Sequence, residues 1–337
     1  MYCPYDNIDH PPDAESSTEH IIPYALGGSN QFTIMTCRYS NNTFGRDIDA
    51  PFLRVFPVAY ERFTRNIDSS SGNLPALTFA GTTELSGRTT KIEYEITAER
   101  RVLFTDPIVM KTANGDNIQY QIQAAPLAVE EMLRNIDAKA VRSGKRIFDT
   151  SGRPVTVNEL LEQAGVQKLI PLINVKWDYR QWAVAAQKEF IKIALGAVHF
   201  ILGEDFSRSE DASLLRRFLF AAENTLSLIP IRGNVWPATI ASPLSGLQRV
   251  FGQPENHIVA LLNLDSRLQL FISLFGNMNG LVMISEEPEI CQKIAADDGV
   301  IVEVDPLTRS FQRRTYRDLL RAMSEKDDNE GLSEPTG

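Results

Sequence analysis

Glu19 and His20 are neighbours, and the chain is broken soon afterwards by Pro23 and again by Gly27-Gly28. In a regular strand adjacent side chains point to opposite faces. One site can use both only where the strand ends, bends or bulges, and the proline and the glycine pair supply that break. Phe32 and Ile34 then read as a second strand returning antiparallel. Beyond Cys37, the segment RYSNNTFG reads as a helix carrying Asn41 and Asn42 early in its course. Folded this way, a hairpin and a helix bring Glu19, His20 and Asn41 together. A carboxylate and an amide oxygen suit a hard divalent cation, with water and a phosphate completing its shell. A neutral histidine beside them can take a proton from an attacking water. The competing reading is a hairpin whose polar residues are incidental.

The rest of the chain sets limits. Its 337 residues are 43% hydrophobic and 23% charged, enough for a substantial core and for two folding units. Apolar runs such as 194–203 are too short to cross a bilayer, so no membrane association is expected. No signal segment opens the chain, and three cysteines (Cys3, Cys37, Cys291) do not form a disulfide framework. A cytoplasmic location follows as the expectation. The net charge of −9 argues against coating nucleic acid by counterion release alone, though not against gripping a short stretch of backbone. No lysine precedes Lys91, so cationic surface near the opening motif must come from arginines such as Arg38, Arg46, Arg54, Arg62 and Arg65.

Along the chain, residues 1–18 read as a turn and loose connection, and 46–65 as short helices limited by Pro51 and Pro57. Period-two runs from 74 to about 125, split by Ser86-Gly87 and Asn114-Gly115, predict a small antiparallel sheet. A half-buried helix starts at Pro126, and a short one spans about 154–165. The strongest helix is expected at 178–201, a second at about 211–226, and loops at 231–255. Strands are expected at HIVALLNL, RLQLFISLF, GLVMIS and GVIVEVD, then a helix near 314–324 and a polar, disordered tail. The fold class is α+β. The divisions expected are 1–66, a β-rich segment at 74–150, a mixed helix–strand region at 151–325 for recognition or regulation, and a tail at 326–337. His199 and His257 read as structural residues, and Cys291 as a small core hydrophobe.

The pattern EHIIPYALGG, then TCRYSNN, then FG closely resembles the HNH endonuclease family. The match is to its bacterial branch with a Glu-His-Ile-Ile-Pro opening and a Cys-x-x-Cys-Asn-Asn-x-Phe-Gly close. The resemblance is strong over residues 3–50, and the segment at 184–203 also looks like a helix found downstream in this branch. It implies an N-terminal ββα-metal finger that hydrolyses DNA phosphodiesters with Mg2+ or Mn2+, leaving 5′-phosphate and 3′-hydroxyl ends. RNA as substrate and a homodimer are left open. Carried over by position, His20 is the general base, while Glu19 and Asn41 hold the cation. A setting in restriction or phage defence is compatible with the family.

Three departures from the family pattern matter. Many members hold a structural zinc with two Cys-x-x-Cys pairs, whereas the matching positions here are Cys3…Asp6 and Cys37…Ser40. Ser40 is a poor ligand, so these four read as a vestigial site and structural Zn2+ is not expected. His10 is a candidate substitute, in a stretch that reads as loop. The family's middle asparagine falls on Phe32, which leaves Asn30 as the candidate brace for the loop. A lysine near the motif's end is replaced by Phe44 or Gly45, leaving Arg38 or Arg46 to meet phosphate. The alternative to an active nuclease is a catalytically inactive HNH-like module that binds nucleic acid or protein.

Overall fold

The computed structural model describes residues 1–69, 179–221, 231–232 and 247–321 (without 248, 254 and 297), together with the elements named below between 72 and 175. Residues 233–246, inside the stretch expected to be loop, and the tail at 326–337 lie outside the described residues.

The chain opens on a hairpin where a loose connection was expected. Strands β1 (Tyr2–Cys3) and β2 (Ile8–Asp9) pair antiparallel, Cys3 opposite Ile8. Asn7, with φ of 62°, makes the turn, and its N–H donates to the Cys3 carbonyl at 3.0 Å. Asparagine is one of the few residues other than glycine that tolerates this left-handed conformation. Next come β3 (Ser16–His20) and β4 (Thr33–Cys37), antiparallel, with Glu19 opposite Ile34 and His20 opposite Thr33. Helix α1 (Arg38–Phe44) follows at once, with Cys37 as its N-cap. A single π-helical turn, Gly45–Asp49, leads into α2 (Ala50–Arg54) and α3 (Phe56–Thr64). Pro57 sits in the first turn of α3, where the missing N–H breaks no helical bond, while Pro51 directly follows the π-helical turn at the start of α2.

The described residues of the period-two region are mostly in strands. Strands β5 (Leu77–Leu85), β6 (Arg88–Ile96) and β7 (Arg101–Thr105) are joined at one edge by β10 (Asn174–Val175), giving the order β10-β5-β6-β7. Strands β8 (Ile108–Asn114) and β9 (Asn117–Gln123) form a separate hairpin. Helices α4 (Pro126–Arg142) and α5 (Val157–Gln163) follow. These elements belong to one compact unit, residues 76–177.

The second unit combines residues 1–75 with 178–337, so the N-terminal hairpins and the C-terminal sheet fold together. Helix α6 (Tyr179–Leu202) is its centre, followed by α7 (Glu204–Ser207) and α8 (Glu210–Leu219). Helix α8 ends at Leu219, short of the expected 226, and residues 222–230 lie outside the described residues. Six antiparallel strands form a sheet in the order β11 (Ile231–Arg232), β14 (Met278–Ser285), β13 (Arg267–Leu274), β12 (His257–Leu264), β15 (Gly299–Val304) and β16 (Phe311–Thr315). A short helix, α9 (Pro288–Cys291), sits between β14 and β15.

A main hydrophobic core joins the N-terminal segment to α6 and the sheet, and a smaller cluster around Phe251, Ile258, Phe271 and Ile301 packs separately. Tyr5, Ile21, Phe32 and Phe44 from the N-terminal segment, Phe190, Ile193 and Val198 from α6, and Val259, Leu270 and Val302 from the sheet are all buried in the main core. Gly196 lets α6 approach: a Cβ there would lie 2.8 Å from the Tyr5 hydroxyl and 3.2 Å from Ile21. Among the described residues, no helix is long and apolar enough to cross a membrane.

Candidate active site

Strand alternation divides the polar residues of β3 between two faces. Ser17 and Glu19 share one face, Thr18 and His20 the other. Glu19 is buried and His20 half-buried. The two neighbours, expected to be brought together in one site, instead stay in the regular strand on opposite faces, each meeting a different environment.

On the inner face, Glu19 Oε1 lies 2.6 Å from Lys192 Nζ, and Asp49 Oδ1 lies 2.7 Å from the same nitrogen. Lys192 is on α6 and has no solvent exposure. Asp49 ends the π-helical turn, and Glu189 stands one helical turn before Lys192, fully buried. Burial opposes the Lys192 charge, but Asp49, Glu19 and Glu189 outweigh it, and the ammonium is held well above its ordinary range. Burial, followed by the Asp49 charge, pushes Glu189 well up and favours its neutral form. Burial also raises Glu19, with Lys192 opposing. The Tyr5 phenol, pushed well up by burial, closes the network. None of Lys192, Asp49 or Glu189 stood out in the sequence. The available signal was a charged residue on each side of Phe190 and Ile191 along an otherwise apolar helix stripe, and it names no partner.

On the outer face, His20 Nε2 lies 2.9 Å from Asn30 Oδ1. An amide oxygen only accepts, so Nε2 carries the hydrogen, and in the neutral ring Nδ1 is the nitrogen with the lone pair. The ring meets Tyr24 edge-on at 5.4 Å between centroids. Three contacts from the C-terminal sheet hold the loop carrying Tyr24. The Arg309 guanidinium lies over the Tyr24 ring at 3.6 Å and donates to the Tyr24 carbonyl at 2.6 Å. His257, wholly buried, bonds the Leu26 carbonyl at 2.8 Å, and its Nδ1 accepts from Phe275 N–H at 3.2 Å. Gly27, at φ of 91°, packs against Pro306 so closely that any Cβ would collide with its backbone.

Asn41, on α1, donates to Ser17 Oγ at 2.6 Å and to the Thr18 carbonyl at 3.1 Å. It therefore stands beside the strand face that carries Glu19. Among the described residues its amide oxygen accepts no bond. Phe32 is fully buried, edge-on to Phe200 at 5.2 Å, so this position packs the core and braces nothing polar. Arg38 pairs with Glu15 at 2.9 Å and Arg46 with Asp47 at 2.6 Å, all on exposed side chains. Such surface pairs contribute about 0–1 kcal/mol and open readily to a phosphate.

The β3–β4 hairpin closed by α1, with a half-exposed histidine at the end of its first strand, has the ββα outline. Residues 3–57 match the family model of the HNH endonucleases. The HNH segment thus ends within α3, and the match supports nuclease-type chemistry on a nucleic acid. No curated protein and no solved structure gives a match.

HNH nucleases use divalent metal ions, and two places in this segment offer donors for one. The Asn41 amide oxygen and the Glu19 carboxylate are hard oxygen donors, of the type that suits Mg2+ or Mn2+. A cation there would share Glu19 with Lys192. The second place is formed by Cys3, Asp6, His10 and Cys37, whose ligand atoms all lie within 4.8 Å of one another. The structure thus draws His10 in, while Ser40 stays beside the group, its hydroxyl 3.3 Å from Asp6 Oδ2.

Proposed function

We propose that the HNH segment, completed by α6 and the C-terminal sheet, is a metal-dependent endonuclease hydrolysing DNA phosphodiester bonds. The observation that carries this reading is the His20–Asn30 bond. For the neutral ring it selects the tautomer in which Nδ1 bears the free lone pair, on a residue that is half-exposed. A neutral imidazole held this way accepts a proton from water as the water attacks phosphorus. The proton then resides on Nδ1, and the resulting imidazolium still donates from Nε2 to Asn30. Asn30 keeps the ring from turning, and Tyr24, clamped by Arg309, closes its edge. Glu19 and Asn41 would hold the cation, which supplies charge neutralisation at the phosphate and at the leaving oxygen. The products on this reading are 5′-phosphate and 3′-hydroxyl ends. Arg38 and Arg46 stand on the same exposed segment as candidate phosphate contacts. Restriction or phage defence as the setting rests on the family resemblance alone.

A second reading has a specific observation behind it. The Glu19 carboxylate is buried against Lys192. A module whose acid is committed to a structural ion pair would bind nucleic acid or protein without cutting it. The two readings separate with purified full-length protein, supercoiled plasmid and Mg2+ or Mn2+, run beside a His20→Ala variant. The nuclease reading expects nicking or linearisation that falls by about 10²–10⁴-fold in the variant. Cleavage that survives the substitution removes His20 from the mechanism. Retained DNA binding with no cleavage under either metal selects the binding module.

A further inference from the structure

The donors of the second cluster come from four separate points of the fold. Cys3 ends β1, Asp6 lies in the hairpin turn, His10 follows β2, and Cys37 ends β4 as the N-cap of α1. The β1–β2 register brings the chain back, and His10 N–H donates to the Met1 carbonyl at 2.8 Å. One Asp6 oxygen, Oδ1, is fixed by Ile8 N–H at 3.0 Å. The other, Oδ2, faces His10 Nε2 at 2.9 Å, Cys37 Sγ at 3.1 Å and Ser40 Oγ at 3.3 Å. Both cysteines are buried and free of disulfides.

Three proton donors thus converge on a single carboxylate oxygen, with the buried Cys3 thiol alongside. Two sulfurs, an imidazole and a carboxylate are the donor types of a four-coordinate zinc site. Zinc bonds of about 2.0–2.3 Å give tetrahedral edges of roughly 3.3–3.8 Å, so ligand atoms already within 4.8 Å need only a small contraction. The surroundings suit the charged form. Arg216 neighbours Asp6 and Cys3 and donates from Nε to the Pro4 carbonyl at 2.8 Å, which fixes the turn and offsets the negative charge of two thiolates and an acid. Ser40 donates its backbone N–H to Cys37 Sγ at 3.4 Å and its hydroxyl to Asp6. Outer partners of this kind orient ligands.

We propose that Cys3, Asp6, His10 and Cys37 bind one zinc ion, which pins the β1–β2 hairpin to the N-terminus of α1. The thiolates missing at positions 6 and 40 are replaced by Asp6 and by His10, with the fourth ligand coming from the first hairpin instead of the helix. Serine at position 40 is thereby freed to act as an outer hydrogen-bond partner. This proposal does not rest on the nuclease reading, because the site is separate from His20 and needs no substrate.

The test uses the full-length chain, kept reduced. Zinc is measured by elemental analysis after purification without chelator, and the chelator-stripped protein is then titrated with Co2+ by absorption. The proposal expects one zinc per chain and, with cobalt, one equivalent giving a thiolate charge-transfer band and the visible bands of a tetrahedral ion. His10→Ala and Cys37→Ser should each lower cobalt affinity by at least about 10-fold. His10→Cys should retain binding with a stronger charge-transfer band, while Ser40→Ala should keep the one-equivalent endpoint. His20→Ala should leave the spectrum unchanged, so a failed nuclease assay and a failed metal site are told apart. Absence of stoichiometric uptake of either metal by the wild-type chain overturns the proposal, whatever the variants do. Uptake indifferent to both His10→Ala and Cys37→Ser also overturns it.

Discussion

The two faces of β3 are built by opposite means. Glu19 faces inward, to a lysine 173 positions later in the chain, and is locked among buried charges. His20 faces outward and is positioned by a nearby asparagine and by a loop that the C-terminal sheet grips from behind. One residue is stabilised by being removed from water and the other by being kept at its edge. Two neighbours in a motif can therefore have different sensitivities: the inner one is tied to folding as well as to the proposed cation, the outer one to chemistry.

The largest test of that difference is at Lys192. Removing one partner of a buried ion pair leaves an uncompensated charge, so Lys192→Met should cost about 3–5 kcal/mol in urea unfolding. Replacing Glu19 by Gln in the same chain should recover part of the loss. A cost below about 1 kcal/mol would mean that the inner face is not held by this network.

His257 sharpens the comparison from behind the loop. Its burial lowers its pKa from the ordinary 6.5 to about 4. Above pH 6.5 the imidazole is neutral in both folded and unfolded chains, and the stabilisation is fully present. As the pH falls, the unfolded chain takes up the proton first, so stability declines from about 6.5 down to about 4, by up to ~3 kcal/mol. Urea midpoints at pH 7 and pH 4.5 should show this loss, and His257→Gln should flatten it. An acid slope identical in the variant would break the assignment.

The smallest effect is expected at Asn30. Asn30→Ala should lower cleavage by about 10-fold while leaving the unfolding midpoint within about 0.5 kcal/mol, since the residue is exposed. Asn30→Asp, which keeps the acceptor, should restore most of the rate. An unfolding midpoint that drops with activity would make Asn30 a fold residue.

How legible this was varied by position. Strands β12 to β15 of the C-terminal sheet were readable because β-branched and large apolar residues run between turn signals, as in HIVALLNL and RLQLFISLF, whereas β11 fell in an expected loop and β16 was not expected. Helix α6 was readable from its apolar period, and Phe32 was visible as a departure. The sequence offered Asn30 as a stand-in brace, and the structure sets it against the histidine. The opening hairpin was less legible, because β1 and β2 have two residues each and no period can show in so short a run. His10 was therefore read as part of a loop, and only as a candidate substitute ligand.

By itself the sequence determined the local chemistry: a hairpin broken by Pro23 and the glycine pair, a following helix that carries Asn41, and the match of residues 3–57 to HNH endonucleases. Backbone periodicity and turn preferences act over a few residues, so they are written in the chain wherever an element is long enough. Only the tertiary structure decided that residues 1–75 share a unit and a core with residues beyond 178. It also decided that Lys192 neutralises Glu19 and that His10 joins Cys3, Asp6 and Cys37. These depend on which buried charges and donors meet after distant segments pack. A buried lysine looks the same in sequence whether its partner is near, far or absent.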